Sequence, residues 1–189
     1  MSELKFRIAQ SSDLNHLVKL INLAYRQTEG HNWTSEADIV VGERINFVQL
    51  KQSLEQEHFQ LWVVESFNEI VACIGLTFDQ VDVEIGTFAI SPNHQNLGLG
   101  RKVLAFAEDY VSNEHQYINV LVMWVLSVRS ELISYYERRG YVLTGVVDEY
   151  PLNALTGVVD EYPLNANVGT PIVDLYLVEM KKVISKNRI

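Results

Sequence analysis

Apolar residues recur along this chain in two periods, one of which predicts helices and the other strands. A helical period follows the capping sequence Ser11-Ser12-Asp13 and places five apolar side chains on one face. These residues are Leu14, Leu17, Val18, Ile21 and Tyr25. Residues 4–9 form a short apolar segment before this helix and predict a strand. A second helix is predicted from about Asn46 to Leu54, so the chain opens with a strand and two helices.

The rest of the chain alternates between apolar strand segments and two further helices. Residues 61–65 and 70–78 predict a hairpin around Asn68-Glu69. Strands are also predicted over residues 83–90 and 117–128, near residue 143 and over residues 172–180. The third helix carries apolar residues at helical spacing, namely Val103, Leu104, Ala107 and Val111. A fourth helix carries Leu132, Ile133 and Tyr136 on one face and ends at Gly140, which favours a left-handed C-cap. The order β-α-α-β-β-β-α-β-α-β-β predicts an α/β fold with a mixed sheet of about seven strands.

Residues 143–154 are repeated without a gap as residues 155–166, an identical copy of the twelve-residue segment. One repeat is too few for a solenoid, so a recent duplication is the simpler interpretation. The first copy continues directly from residues 140–142 and is predicted to enter the sheet, which leaves the second as a long loop. Alternatively, the extra copy forms a dimer contact or a substrate flap, because long loops in compact domains are often functional.

Composition favours one globular domain, residues 1–189, because 48% of the residues are hydrophobic and the charges are mixed. The net charge is −9 and the sequence has no long basic run, which argues against nucleic-acid binding. No segment resembles a signal peptide or reaches membrane-spanning length, so no membrane association is expected. The single cysteine, Cys73, lies among apolar strand residues and fits a reducing, cytoplasmic location. The five histidines have no metal-ligand spacing, and no metal site is expected.

A glycine loop joins the strand over residues 83–90 to the third helix and predicts a phosphate-binding cradle. The strand ends in Phe88, Ala89 and Ile90. The loop and first helical turn are Gln95, Asn96, Leu97, Gly98, Leu99, Gly100 and Arg101. Free N–H groups of a first helical turn attract anions, and glycine allows a close backbone approach. An ordinary strand-to-helix turn is the alternative for a loop with only two glycines.

This Gln-x-x-Gly-x-Gly sequence, preceded by Phe-Ala-Ile, resembles the acetyl-CoA-binding motif of the GCN5-related N-acetyltransferase (GNAT) family. Downstream, Tyr136-Glu137-Arg138-Arg139-Gly140-Tyr141 resembles the Tyr-Glu-x-x-Gly-Phe signature of the same family. The resemblance covers nearly the whole chain. It implies the GNAT acyl-CoA N-acyltransferase fold, with a mixed, mostly antiparallel sheet of about seven strands flanked by about four helices. It also implies that the strands ending at Ile90 and near Val128 splay apart around the thioester arm of acetyl-CoA.

The resemblance also assigns roles at the cofactor side of the site. The cradle residues 95–101 would hold the pyrophosphate of acetyl-CoA, and backbone groups of Phe88, Ala89 and Ile90 would bind the pantetheine and the acetyl carbonyl. Tyr136 is the candidate general acid that returns a proton to the departing thiolate. A core aromatic with a satisfied hydroxyl is the alternative for Tyr136. Many members carry an asparagine seven residues before the tyrosine, where this chain has Arg129.

A base is needed because an alkyl amine, with a pKa near ~10, is mostly protonated at neutral pH. Glu84 is the candidate, since in the histone-acetylating branch of the family a glutamate at the matching place before the strand end has this role. A solvated strand carboxylate is the alternative for Glu84. The branch that acetylates protein N-termini uses a glutamate twelve residues before the tyrosine. Trp124 occupies that position here, which disfavours that branch.

The acceptor site is expected between the first two helices, where the resemblance places one wall of it. Candidate residues there are Trp33, Thr34, Glu36 and Tyr25. Trp33 would enclose the acceptor and Glu36 would pair with its cationic end. Alternatively, Trp33 fills the core and Glu36 caps a helix. The predicted function is acetyl transfer from acetyl-CoA to a primary amine of a small molecule or peptide, with a homodimer as a candidate assembly. There are two alternatives. One is a non-catalytic acyl-CoA-binding or sensing module, and the other is an interaction protein built on the duplicated segment.

Overall fold

The computed structural model describes residues 3–27, 34–150 and 170–184. Within them lie four α-helices: α1 Leu14–Arg26, α2 Phe47–Leu54, α3 Leu99–Glu114 and α4 Ser130–Glu137. The same residues form nine strands: β1 Lys5–Ile8, β2 Val40–Val41, β3 Phe59–Ser66, β4 Glu69–Phe78, β5 Asp82–Ile90, β6 Val120–Leu126, β7 Val142–Glu149, β8 Thr170–Pro171 and β9 Tyr176–Val183. The predicted order of the main elements is confirmed.

Seven of the strands form one mixed sheet in the order β1-β3-β4-β5-β6-β9-β7. Every neighbouring pair in this sheet is antiparallel except β5 and β6, which run parallel. A parallel pair needs a crossover, and α3 provides it between these two strands. The mixed, mostly antiparallel sheet of seven strands with four helices is as expected from the sequence.

Helices cover both faces of the sheet because the strands alternate in which side chains they bury on each face. On one face, α1 and α2 pack Leu17, Ile21 and Leu50 against a cluster that includes Val63 and Cys73. On the other face, α3 and α4 pack onto a second cluster, in which Val103, Leu104, Ala107, Val111 and Tyr136 meet the opposite side of the same strands. The sheet is therefore the middle layer of three.

Local sequence signals explain several element ends. Asn46 and Gln49 form a reciprocal capping box at the start of α2, with each side chain accepting the other residue's backbone N–H. Phe67 and Asn68 both adopt positive φ in the tight turn between β3 and β4, as a two-residue hairpin loop requires. Gly140 follows α4 with a φ of 87°, the left-handed conformation predicted from the sequence.

One expectation about the C-terminal part needs correction, and one short strand was not expected. The last strand begins at Tyr176 and not at residue 172, because the Ile172 N–H donates to the Ile39 carbonyl at 2.9 Å and residues 172–175 lie outside the main sheet. Before them the chain forms β8. This strand pairs with β2 in a separate two-stranded sheet that periodicity did not predict, since neither strand is long enough to show alternation.

Residues 143–149 of the first repeat copy lie in β7, an edge strand paired with β9. The second copy, residues 155–166, lies outside the described residues.

Candidate active site

A wedge-shaped gap opens between the parallel strands β5 and β6. The two strands pair only at three positions, and Glu84 opposite Val122 is the last of them. Beyond this point β5 continues to Ile90 and β6 to Leu126 without further pairing to each other. The predicted splaying of these strands is confirmed, and backbone groups along both edges of the gap face the space between them.

A β-bulge shapes the edge of β5 that faces this gap. Cys73 of β4 pairs with Ala89, whereas Gly75 pairs with Gly86, so the intervening residue of β4 faces both Thr87 and Phe88. Thr87 has a φ of 46°, which is uncommon for a β-branched residue and marks a constrained backbone. The Tyr25 hydroxyl donates a hydrogen bond of 3.1 Å to the Phe88 carbonyl. The bulge thus redirects the backbone at the segment expected to bind the acetyl end of the cofactor.

The predicted cradle forms the start of α3. Gly98 is the N-cap, with a φ of 75°, and Asn96 in the same loop has a φ of 61°. The N–H groups of Leu99, Gly100 and Arg101 belong to the first helical turn and have no helical carbonyl to bond. A Cβ at Gly98 would meet no other atom within 4 Å, so the loop is open on that side. These features fit an anion such as a pyrophosphate at the helix N-terminus.

Other cradle side chains point in different directions. Gln95 is buried, and its Nε2 donates to the Thr34 hydroxyl at 3.0 Å and to the Ile90 carbonyl at 3.2 Å. It therefore ties the loop to β5 and to the wall that carries Thr34. Leu97 and Arg101 are exposed. Gly100 packs closely, since a Cβ there would lie 3.4 Å from the Tyr135 hydroxyl.

A cavity of about 560 Å³ is lined by the edges of the gap and by residues of α1 and α2. Both predicted catalytic residues, Glu84 and Tyr136, line it, as do Tyr25 and Glu36 from the predicted acceptor wall. Phe88 also contributes. Residues that are more than one hundred positions apart in sequence thus meet at one cavity.

Tyr136 is 7% exposed and its ring makes edge contacts with the rings of Tyr135 and Tyr141. Burial raises the pKa of Tyr136 above that of an ordinary phenol, and nearby Tyr25 and Tyr135 raise it further. Arg129 and Arg139 act in the opposite direction on the same pKa. The phenol is therefore protonated at neutral pH, as a proton donor must be.

Glu84 lies at the closed end of the gap, on the last residue pair between β5 and β6. Its carboxylate points along the strand toward Gly86, where an added Cβ would lie 3.6 Å from Oε1. The side chain is half-buried and lines the cavity, which is a suitable position for a base that reaches the acceptor directly or through water.

The predicted acceptor wall is only partly described. Trp33 lies outside the described residues. Glu36 is buried and forms an ion pair of 2.8 Å with Arg26, so this carboxylate already has a cationic partner within the protein. The Thr34 hydroxyl donates to the Ala24 carbonyl at 3.1 Å. Both side chains hold the wall against α1.

Arg129 occupies the position at which many family members have asparagine, and its side chain bonds the acceptor wall. It is 4% exposed, and its Nη1 donates to the carbonyls of Thr34 at 3.3 Å and Ser35 at 3.2 Å. Its Nε bonds Glu131. Arg129 thus joins the start of α4 to the acceptor wall. The departure from the motif marked Arg129 as unusual in the sequence. No local pattern could identify its partners, because Thr34 and Ser35 are too distant in sequence.

Comparison with known proteins identifies the chain. The profile of the acetyltransferase (GNAT) family matches residues 18–141, more than half of the sequence. The chain belongs to the GNAT family. The matched region contains the cradle, Glu84 and Tyr136. This GNAT protein is thus a member of a family of acetyl-CoA-dependent N-acetyltransferases, as the two motifs indicated.

Solved structures share the fold of this GNAT protein. The ribosomal-protein-S18-alanine N-acetyltransferase from Escherichia coli is 13% identical, with a TM-score of 0.67 over 98% of this chain and 97% of that one. A spermidine N-acetyltransferase from Vibrio cholerae, solved in complex with CoA and spermine, is 18% identical, with a TM-score of 0.63 over 97% of this chain and 96% of that one. At these identities the likeness establishes the fold alone.

No curated protein sequence matches the chain significantly. Among the residues that the structure describes, no helix is both long and apolar enough to cross a bilayer.

Proposed function

We propose that this GNAT protein transfers an acetyl group from acetyl-CoA to a primary amine of a small molecule or peptide. The observation that carries the proposal is that Glu84 and Tyr136, the two residues singled out for proton transfer, line the same cavity at the gap between β5 and β6. A binding module has no need for a carboxylate and a phenol at one such cavity. The cradle next to the gap supplies the cofactor end of the site.

The cofactor is held by backbone groups in this proposal. The first-turn N–H groups of Leu99 to Arg101 bind the pyrophosphate, and the open side of Gly98 allows its approach. The unpaired edge of β5 from Phe88 to Ile90 receives the pantetheine arm, with the bulge at Thr87 aiming backbone groups at the acetyl carbonyl. Acetyl-CoA supplies the acetyl group as a reactive thioester.

Two protein side chains manage the protons. Glu84 removes a proton from the acceptor ammonium, directly or through water, so that the neutral amine can form the new C–N bond. As the C–S bond breaks, Tyr136 gives its phenolic proton to the thiolate sulfur, and the second proton that the nitrogen loses returns through water to restore the phenol. Burial keeps the phenol protonated until the C–S bond breaks, against the smaller opposite effect of Arg129 and Arg139 on its pKa.

The test measures acetyl-CoA binding and amine-dependent CoA release for the wild type and for Tyr136→Phe. The substitution removes one hydroxyl, so acetyl-CoA affinity should persist while kcat falls by about 10²- to 10⁴-fold, as for loss of a general acid. Tyr141→Phe is the matched control, because it also removes a buried hydroxyl, the one bonded to Glu108 at 2.9 Å, but Tyr141 does not line the cavity.

Equal loss of turnover in both tyrosine variants would contradict the role of Tyr136. Intact acetyl-CoA binding with no turnover on any primary amine would contradict the enzyme proposal and favour an acyl-CoA-binding module.

A further inference from the structure

Arg44 is a cationic residue of the cavity wall that the proposed chemistry does not use. Among the described residues that line the cavity, it is the one arginine or lysine. It lies just before α2, on the acceptor side, and its side chain is partly buried. No sequence pattern singles it out, because an arginine in a short polar segment usually faces solvent.

The backbone of Arg44 is held in place by Asn22 of α1. The Asn22 Oδ1 accepts the Arg44 backbone N–H at 2.6 Å, and its Nδ2 donates to the Ile45 carbonyl at 2.7 Å. Ile45 itself is buried in the core cluster beneath α1. One amide side chain therefore fixes the segment from both sides, as a specificity residue requires.

The guanidinium lies against an aromatic wall next to the reacting centre. Its Cζ is 5.2 Å from the centroid of the Tyr25 ring, within the range of a cation–π contact. The hydroxyl of the same ring bonds the Phe88 carbonyl at the bulge of β5. Tyr150 also lines the cavity. Burial raises the pKa of the Tyr150 phenol, and the positive charge of Arg44 acts against this rise. Tyr25 thus lies between Arg44 and the segment of β5 that would bind the acetyl group.

Two carboxylates that line the cavity on this side, Glu36 and Glu55, each have a cationic partner of their own. Glu55, at the end of α2, lies 3.5 Å from the Lys51 ammonium. Glu36 pairs with Arg26 at 2.8 Å, so those two charges compensate each other. Glu84 lies on the paired end of β5, four residues before Phe88, which is roughly 13 Å along an extended strand. The cavity therefore presents a cationic side chain on the α1–α2 side and an acidic one at the closed end of the gap.

We propose that Arg44 binds a carboxylate of the acceptor, and that the acceptor is a primary amine that carries a carboxylate, such as a free amino acid. This rests on the function proposed above. The planar guanidinium matches a carboxylate with two parallel hydrogen bonds, and contact with an aromatic face keeps it oriented. A simple polyamine offers Arg44 only positive charge.

The experiment compares matched acceptors with and without a carboxylate. The pairs are phenylalanine with phenethylamine, tyrosine with tyramine, and ornithine with putrescine, with spermidine as a further polyamine. Acetyl-CoA-dependent acetylation is measured for the wild type, Arg44→Gln and Arg44→Glu. Lys19→Gln is the control, because this exposed cation of α1 does not line the cavity.

The wild type should prefer the carboxylated member of the best pair by about 10- to 100-fold in kcat/KM, the range of a charge-assisted bidentate contact. Arg44→Gln should remove most of this preference through a higher KM, and Arg44→Glu should reverse it toward diamines. Lys19→Gln should keep it. Unchanged acetyl-CoA binding in each variant verifies that the protein is folded.

A wild type that acetylates the decarboxylated amines as well as their partners, or a preference that survives Arg44→Gln, would overturn this inference while the proposed acetyltransferase function stands. Absence of turnover on every amine in the set, with polyamines and amino acids alike, would count against both the proposed function and the acceptor class.

Discussion

A single methyl group at Gly98 tests the cradle with little steric disturbance. Gly98 has a φ of 75° at the N-cap of α3, and a Cβ there would meet no other atom within 4 Å. Gly98→Ala therefore introduces no collision, and its cost is conformational. An L-residue in the left-handed region costs roughly 1–2 kcal/mol relative to its favoured conformation.

This cost must appear in one of two measurements. If the loop of the variant keeps its conformation, the free energy of unfolding falls by about 1–2 kcal/mol. If the loop relaxes in the free protein, the original conformation must be restored when acetyl-CoA binds, and the Kd rises by a factor of about 5 to 30. Urea unfolding and calorimetric titration measure the two losses, which together should amount to about 1–2 kcal/mol.

Two matched variants separate strain from other effects. Gly98→Asn should recover most of the loss, because asparagine tolerates this region, as Asn96 with a φ of 61° does in the same loop. Gly100→Ala should leave the free energy of unfolding nearly unchanged, since its Cβ would make ordinary contacts of 3.8 Å with Ile90 and 3.9 Å with Phe88 and a close one of 3.4 Å with the Tyr135 hydroxyl. Wild-type values in Gly98→Ala for both stability and affinity, or an equal loss of stability in Gly100→Ala, would show that the positive φ of Gly98 is not the cause.

Further predictions concern three other parts of the chain. Arg129→Lys should raise the acceptor KM more than it lowers kcat, and reduce the free energy of unfolding by about 1–3 kcal/mol, because the bonds to the Thr34 and Ser35 carbonyls weaken; an altered kcat alone would contradict its positioning role. Burial raises the pKa of Cys73 to about 12, so the folded state favours the neutral thiol and stability should fall as pH rises above 9. Between pH 9 and 10, urea unfolding of the wild type should show a loss roughly 1 kcal/mol larger than that of Cys73→Ala, because buried tyrosines with raised pKa values contribute equally in both proteins; an equal loss in the two proteins would disprove this. Deleting residues 155–166 leaves the same sequence as deleting residues 143–154, so β7 keeps its residues and acetyl transfer should continue near the original rate; loss of activity in a folded variant would give the second copy a function.

Local patterns predicted the elements that carry the cofactor side of the site. The glycines of the cradle and the periodic residues of α3 lie within a few positions of each other, so spacing alone identifies a loop that starts a helix. The same is true of α4, where Tyr136 and the left-handed Gly140 belong to one short motif. The splayed strands followed from the family resemblance and not from periodicity.

The acceptor side was less predictable because its contacts join distant parts of the chain. Arg129 bonds carbonyls at Thr34 and Ser35, more than ninety residues away, and Arg44 depends on Asn22 for its position. The ion pair of Glu36 with Arg26 could not be predicted either, since each residue alone looks like an ordinary surface charge in the sequence. The short strands β2 and β8 were missed because two residues show no alternation.

Isothermal titration of acetyl-CoA into the purified protein, with desulfo-CoA and ATP as comparison ligands, tests directly whether the cradle and the gap bind the cofactor. We expect tight binding of acetyl-CoA and desulfo-CoA, which share the pyrophosphate and pantetheine that the cradle and β5 would bind, and much weaker binding of ATP. Absence of acetyl-CoA binding, or binding no tighter than that of ATP, would contradict the assignment of the cradle and of the gap beside it.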